Sequence, residues 1–534
     1  MKTHVVAVAA ALSLALVPVV AQEQHDHAGT PAERLGKVHF ETSCDASLRA
    51  DFDRAVALLH SFWFPNAIDA FNGVAAGDPG CGIAHWGTAM ANWGNPLTGT
   101  RSAAVVSRGL AAVAKAKAAG AKTARERDYI SAVELLYANA EQLDQAARVV
   151  LYEQAMRKLA AANPTDTEAA IFHAISLDAA APPTDKTYAN QLEAAGILEK
   201  AFAVQPDHPG IAHYLIHSYD VPALAAKGLP AARRYASIAP DAPHALHMPS
   251  HIFTRVGAWQ DSIDANIASA AAAKRANAPA EGLHAMDYQV YAYLQLARDD
   301  DALRLWKETE QMLAAGAGNG FAVAAIPARV ALERGAWNDA AELTVRPGQA
   351  SYVEAMTWFA KAIGAARSGH AATARLDAAK LTPLRDALRE RKEDYWAGQV
   401  EIQRKAAEGW TLHAEGRTAD AVSLLREAAK EEDATEKAAV TPGPLAPARE
   451  LLAELLLATG KAKEALVEYE AVMAKEPGRF RAISGAARSA QAAGDRAKAQ
   501  AYSAVLLALA KSASPGRPDL AEARKILGVG PRLP

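Results

Sequence analysis

The sequence predicts an all-α protein built from repeated helix pairs. Ala makes up roughly a quarter of the 534 residues, and it is the residue that most favours helix. Aromatic residues are only 6% and β-branched residues are few, which disfavours extended strands. Short glycine turns recur in the second half: Gly335 and Gly369 are 34 residues apart, as are Gly460 and Gly494. A fixed period of this length indicates a repeat array.

The first 21 residues have the pattern of a signal peptide. Lys2 is followed by an apolar run, Val5–Val20, and Val19 and Ala21 supply small residues for a cleavage site. The run is too short for a stable membrane span. We therefore predict an exported protein, periplasmic or secreted, with no membrane span. Residues 22–36 are polar and without periodicity, which predicts a flexible leader.

Residues 37–165 are predicted to form a helical segment that is richer in aromatic residues and contains both cysteines, Cys44 and Cys81. An even number of cysteines in an oxidising compartment favours a disulfide. Two free thiols are the alternative. Histidine-rich helical repeats are predicted for 166–345 and further repeats for 346–534.

Small residues flank each glycine turn at fixed distances, seven before and five after. Two antiparallel helices need small side chains where they cross closely. From Gly257 to Gly335 the gap accommodates two units, which places an additional turn near Ala297–Asp300. The flanking residues are Ser250, Ala328, Ala362, Gly409, Ala453 and Ala487 before the turns, and Ser262, Ala340, Ala374, Ala421, Ala465 and Ala499 after them.

This spacing resembles the tetratricopeptide repeat, a 34-residue helix–turn–helix unit, most clearly in the last three or four units. The resemblance implies a solenoid with a right-handed superhelix. The first helix of each unit would line a concave groove, the usual binding surface of such arrays, where we expect a peptide or protein partner.

The N-terminal segment carries a second resemblance. Its blocks Leu58–Trp63, Asp78–Cys81 and His85–Gly87 resemble the opening of a family of exported bacterial tetratricopeptide proteins of unassigned function. The resemblance implies the fold and no activity. His60 and His85 in these blocks are candidate ligands, with hydrogen-bonded histidines of the core as the alternative.

Histidines concentrate in one part of the chain. Two pairs, His213 with His217 and His247 with His251, have members four residues apart. On a helix such residues have Cβ atoms about 5–6 Å apart and can share one metal ion. Seven of the 16 histidines lie at positions 208, 213, 217, 244, 247, 251 and 284.

The repeat register places these residues on successive first helices, facing the groove. His244, His247 and His251 occupy three groove-facing positions of their unit, and the first two of these positions carry His284 and Asp287 in the next unit. Asp220 follows His217 by one turn. We therefore predict one transition-metal ion (Zn, Cu or Fe) bound by His213, His217, His247 and His251. Its further ligands or hydrogen-bonding partners would be His244, His284, Asp220 and Asp287. A metal-free polar pocket for an acidic or peptide ligand, and histidines with a purely structural role, are the alternatives.

Several function classes are excluded or unsupported. The net charge of −3 leaves no electrostatic case for a nucleic-acid partner. The sequence contains no His-Glu-x-x-His, Gly-x-Ser-x-Gly, phosphate loop or Cys-x-x-Cys motif.

Two functions remain. The first is an exported scaffold that binds a peptide, protein or small ligand and carries the metal; the second is a metalloenzyme that activates water or oxygen. Four protein ligands would favour the scaffold, whereas three with an open position would favour the enzyme.

Overall fold

Helices account for every regular element in the described part of the chain. The computed structural model describes residues 33–318, 320–346 and 348–530, which form 27 α-helices and two 3-10 helices. The predicted all-α, tetratricopeptide-type fold class is confirmed. The predicted signal peptide, and residues 22–32 of the predicted leader, lie outside the described residues. The described residues from Arg34 onward form one compact unit.

The helices follow one another along the chain with short connections. Those of the predicted N-terminal segment are α1 Arg49–His60, α2 Phe64–Gly77, α3 Gly82–Trp93, α4 Ala103–Ala119, α5 Ala124–Tyr137 and α6 Gln145–Ala162. Those of the histidine-rich repeats are α7 Thr167–Ala179, α8 Ala189–Val204, α9 Pro209–Tyr219, α10 Leu229–Ile238, α11 Pro243–His247, α12 Pro249–Arg255, α13 Trp259–Arg275, α14 Pro279–Gln295, α15 Asp299–Ala314, α16 Gly320–Glu333 and α17 Trp337–Ala341. Those of the C-terminal repeats are α18 Ser351–Arg367, α19 Ala371–Ala379, α20 Leu381–Glu390, α21 Asp394–Ala414, α22 Thr418–Asp433, α23 Ala448–Ala458, α24 Ala462–Lys475, α25 Phe480–Ala492, α26 Arg496–Leu509 and α27 Pro518–Leu527. The 3-10 helices are Ala46–Leu48 and Ala225–Gly228.

A common helix ending produces the repeat turns. At Gly460 φ is +80°, and the amide of Lys461 donates to the carbonyl of Leu456 at 2.8 Å, the bond of a Schellman motif. The other predicted glycine turns have the same positive φ and the same bond. The turn predicted near Ala297 is also present: Ala297 has φ +53°, and Arg298 donates to Tyr293 at 2.8 Å.

The small residues around each turn lie where the two helices of a pair cross. All eleven Ala and Ser residues at these positions are at most 2% exposed. A Cβ atom on Gly409 would lie 2.8 Å from Leu425 Cγ on the facing helix, closer than carbon atoms approach. The spacing of small residues in the sequence thus corresponds to the sites where the two helices of each pair make close contact.

The N-terminal segment is joined to the repeats by a continuous core. One apolar cluster runs from Leu35 to Phe253, across residue 165, where the sequence predicts a boundary. Residues 34–36, at the end of the predicted leader, are packed: Leu35 is buried, and the amide of Lys37 donates to Asp207 O at 3.0 Å. Cys44 and Cys81 form the predicted disulfide, with Cα atoms 4.9 Å apart.

The C-terminal repeats contact the histidine-rich repeats. The indole of Trp259 donates to Gly478 O at 2.9 Å, and Arg517 forms an ion pair with Asp299 at 2.7 Å. Buried Arg479 forms an ion pair with Glu333 at 2.8 Å. These contacts join residues far apart in sequence, so the array is closed on itself in this region. Among the described residues, no helix combines the length and apolar character needed to cross a membrane.

The turn glycines give a stability prediction. Gly460→Ala places a Cβ in open space but keeps a left-handed φ, so it should lower the free energy of unfolding by about 1–2 kcal/mol through backbone strain. Gly196, inside α8 and equally uncrowded, is the matched control: Gly196→Ala should raise the free energy of unfolding by roughly 0.5–1 kcal/mol. Urea unfolding measures both, and equal effects of the two substitutions would contradict this account.

The disulfide gives a second prediction. It closes a loop with a sequence separation of 37, so its removal by Cys44→Ser with Cys81→Ser should lower the free energy of unfolding by roughly 3–4 kcal/mol. Thiol titration of denatured, unreduced protein should find almost no free thiol. Two titratable thiols per chain would show that the bridge does not form in the cell.

Candidate metal centre

Six histidines meet where three consecutive first helices lie side by side. Their ligand atoms form two groups of three, and within each group these atoms lie within 4.8 Å of one another. His213, His217 and His244 form the first triad; His247, His251 and His284 form the second triad. The four histidines predicted to share one ion are therefore divided between the triads, and His244 and His284 complete them.

The helix that contributes to both triads is interrupted. Pro249 has no amide hydrogen to donate, and the chain passes from α11 to α12 at Met248. The amide of His251 bonds to Met248 O at 3.1 Å, a shorter-range bond than in an α-helix. The four-residue spacing of His247 and His251 survives this break, and both rings point to one side. The repeat register predicts one continuous helix here, and Pro249 is the residue that could have indicated the break.

The first triad brings α9 together with α11. His213 Nε2 and His217 Nε2 are 3.1 Å apart, as expected for residues one helical turn apart that face the same point. The ring of His244 lies 5.1 Å from that of His213, measured between centroids. His213 and His217 are buried, and the buried Nε2 atom of His244 has no hydrogen-bond partner.

The second triad brings α11 and α12 together with α14. His247 Nε2 and His251 Nε2 are 3.0 Å apart, and the ring centroids of His247 and His284 are 4.3 Å apart. His247 and His251 are each 1% exposed. Both triads therefore present three imidazoles to a small volume shielded from solvent.

The other ring nitrogens of three of these histidines have fixed acceptors. His213 Nδ1 donates to the carbonyl oxygen of His60 at 2.6 Å, and His251 Nδ1 donates to Asp220 Oδ2 at 2.9 Å. His247 Nδ1 donates to Asn266 Oδ1 at 2.6 Å, and the amide nitrogen of Asn266 is itself engaged by Ser262 O. Metal-binding histidines commonly donate their other N–H to such carboxylate and carbonyl groups.

These bonds determine what the facing nitrogens of the second triad can do. Because the protons of His247 and His251 sit on Nδ1, both Nε2 atoms present lone pairs to each other across 3.0 Å. A neutral imidazole has one N–H, so no hydrogen bond can form between these two atoms. Only a shared proton or a metal ion makes the arrangement attractive.

Burial opposes the shared proton. Desolvation, followed by the neighbouring histidines, lowers the pKa of His213, His217 and His247 well below the ordinary value. Desolvation likewise lowers the pKa of His251 to about 4 and that of His284 to about 3. The rings are therefore neutral near pH 7, which is the form that metal ions bind.

Of the two predicted carboxylates, Asp220 supports the site and Asp287 is engaged elsewhere. Besides His251, Asp220 binds Arg255 Nε at 2.8 Å and Lys437 Nζ at 3.0 Å. Burial alone would raise the pKa of Asp220, but Lys437 and Arg255 hold it well below its ordinary value. Asp287 forms a buried ion pair with Arg329 at 2.8 Å.

Each triad is faced by an aromatic ring that sequence reasoning missed. Phe62 lies 4.3 Å from His213, 5.8 Å from His217 and 5.3 Å from His244, between ring centroids. Its φ of +52° is a strained conformation for a bulky residue, and such strain is concentrated at functional sites. Tyr288 lies within 4.6–5.4 Å of all three rings of the second triad.

A distant segment of the chain covers the second triad. Residues 434–447, between α22 and α23, run past α14, and Tyr288 Oη lies 3.1 Å from the carbonyl oxygens of both Ala439 and Thr441. Arg329 donates to Gly443 O at 3.0 Å, and Lys437 reaches Asp220. The sequence predicts a peptide partner in this groove; here the chain itself supplies an irregular segment of turns and bends.

A third polar cluster lies next to the first triad. Buried Glu168 accepts from His60 Nε2 at 2.9 Å and from His208 Nε2 at 2.8 Å. Desolvation would raise the pKa of Glu168, but His208 and His60 lower it strongly. His60 is thus a buried, hydrogen-bonded histidine of the core, and its carbonyl oxygen accepts from His213 Nδ1.

Comparisons with known proteins give no functional assignment. No known protein family and no curated protein sequence matches the chain. Among solved structures, the tetratricopeptide domain of P58(IPK) is 13% identical over 90% of this chain and 99% of its own, with a TM-score of 0.21. A human IFIT1 dimer with m7Gppp-AAAA is 12% identical over 88% and 96%, with a TM-score of 0.35. A Naa15/Naa10 complex bound to HypK-THB is 11% identical over 89% and 71%, with a TM-score of 0.22. These values are too low to indicate what this chain binds.

The buried imidazoles predict a pH dependence for the metal-free protein. Their folded-state pKa values lie below the unfolded value near 6.5, so the unfolded state binds more protons between the two values and stability falls as the pH falls through this window. For His251 the window runs from about 6.5 to about 4, and at about 1.4 kcal/mol per pKa unit it corresponds to roughly 3 kcal/mol. Urea midpoints of chelator-treated protein from pH 7 to pH 4.5 test this. A midpoint that does not change, or that rises on acidification, would contradict it.

Proposed function

We propose that this protein is an exported helical-repeat metalloprotein that binds transition-metal ions through its two histidine triads. The observation that carries the proposal is the pair of lone pairs on His247 Nε2 and His251 Nε2, which face each other at 3.0 Å while both Nδ1 atoms donate elsewhere. A metal–imidazole bond is about 2.0–2.1 Å, so one ion can lie between two nitrogens at this separation.

The donor set supports a transition metal. The ligand atoms of both triads are imidazole nitrogens, a donor type that suits Zn, Cu, Fe and Ni. Hard cations such as Mg²⁺ and Ca²⁺ prefer oxygen ligands, and the nearest carboxylate, Asp220, is bound by Arg255 and Lys437. Export is supported by the signal-peptide pattern of residues 1–21 and is compatible with the disulfide.

A second function, a metal-dependent enzyme, is favoured by the ligand count. Three protein ligands per triad leave a coordination position for water, oxygen or substrate, whereas structural sites are closed by four. Binding of a peptide or protein partner stays part of the proposal. Such a partner must displace residues 434–447 or bind outside the region that they cover.

Metal analysis of a paired variant tests the proposed function. His217→Ala with His251→Ala removes one nitrogen from each triad, so stoichiometric metal and the metal-dependent rise in melting temperature should both be lost. Elemental analysis and thermal unfolding, each with and without added Zn²⁺ or Cu²⁺, are the measurements. His39→Ala with His370→Ala, at two exposed histidines, is the matched control.

The control should bind as much metal as the parent protein, and circular dichroism should show the same helix content for all three proteins. The proposal fails if the parent carries no metal and takes none up. It also fails if the variant with both triads altered binds as much metal as the parent.

A further inference from the structure

We propose that the two triads together form one dinuclear copper site; this inference rests on the proposed function and makes it more specific. Adjacency is the first observation. His217 of the first triad and His251 of the second have ring centroids 5.9 Å apart, and His244 and His247 have the same separation. Ring centroids within the triads are 4.3–5.1 Å apart. The separations between the triads are only slightly larger, so no layer of side chains divides the two groups.

The connection between the triads is also built into the backbone. His244 and His247 lie on the same short helix, α11, one turn apart, yet each belongs to a different triad. An ion in one triad therefore shares a helix with an ion in the other. Two ions bound independently would not need ligands one turn apart on the same five-residue helix.

The ligand types narrow the choice of metal. In helical proteins, paired iron or manganese ions are held by several glutamates, whose negative charges offset those of the ions. Here all six ligand residues are histidines. Asp220 lies behind His251, and Glu281 Oε2 is 3.6 Å from His244 Nδ1, so both carboxylates stand outside the ligand set.

Charge then favours copper in its reduced state. Two divalent ions would add four positive charges, whereas two of the carboxylates near the triads, Asp220 and Glu436, are already paired with Arg255 and Lys437, which leaves Glu281. Unbalanced buried charge is costly. Two Cu⁺ ions add half that charge, and imidazole is a donor type that suits copper. An added one-electron oxidant such as ferricyanide would take one electron from each Cu⁺, giving Cu²⁺ and ferrocyanide.

Copper titration of the full-length protein and of single-triad variants tests the proposal. The parent should bind two equivalents of Cu⁺ under anaerobic conditions in competition with a chromogenic chelator. His244→Ala in the first triad and His284→Ala in the second should each reduce this to one equivalent. Both residues are only partly buried, which favours folding of the variants. Where a variant loses helix content, the corresponding Gln substitution replaces it, and His370→Ala is the control.

Electron paramagnetic resonance tests whether the two ions are neighbours. After oxidation, the parent should show magnetic interaction between two Cu²⁺ ions, either as lost signal intensity or as a half-field transition. Each single-triad variant should give an ordinary mononuclear spectrum with full intensity. A parent spectrum equal to the sum of the two variants, or a single equivalent of copper, overturns the dinuclear site. Uptake of Zn²⁺ but not copper overturns the metal assignment and leaves the proposed function intact, whereas no metal uptake at all defeats both.

Discussion

Two imidazole lone pairs facing each other in a buried volume are the constraint on which the centre depends. His247 and His251 cannot hydrogen-bond to each other, because both protons are committed to Asn266 and Asp220. Burial disfavours an added proton, since it lowers the pKa of both rings. Holding these two atoms together is therefore unfavourable in the metal-free protein, and packing elsewhere in the fold must stabilise the arrangement.

The groups that hold the triad histidines in place come from distant parts of the chain. The ligands lie on neighbouring repeats, but the acceptor of His213 is the carbonyl of His60, 153 residues earlier. Asp220 is held by Lys437, 217 residues later. Phe62 reaches the first triad only because its backbone adopts a left-handed conformation. Orientation of the rings is thus completed only when the N-terminal segment and the C-terminal repeats are both in place.

The sequence predicts the parts of this structure that depend on local chemistry. Small residues at fixed distances from glycine predict helix crossings, and even the turn without glycine, at Ala297, lies where the period requires. The same register identifies the six triad histidines. It could not divide them into two triads, because that depends on how far α9 and α14 stand from the broken helix at Pro249. Nor could it find Phe62, whose position depends on packing between segments that no repeat pattern relates.

Residues 434–447 cover part of the groove and so limit which ligands can reach the triads. An open array would leave two three-coordinate ions accessible to any large ligand, whereas residues 434–447 lie against Tyr288 and Arg329 and so restrict access on that side. Exclusion of water strengthens electrostatic interactions within the site and protects reactive metal states from side reactions. If the triads bind metal as proposed, the covering segment would let a small molecule reach the open position of each ion more readily than a large one.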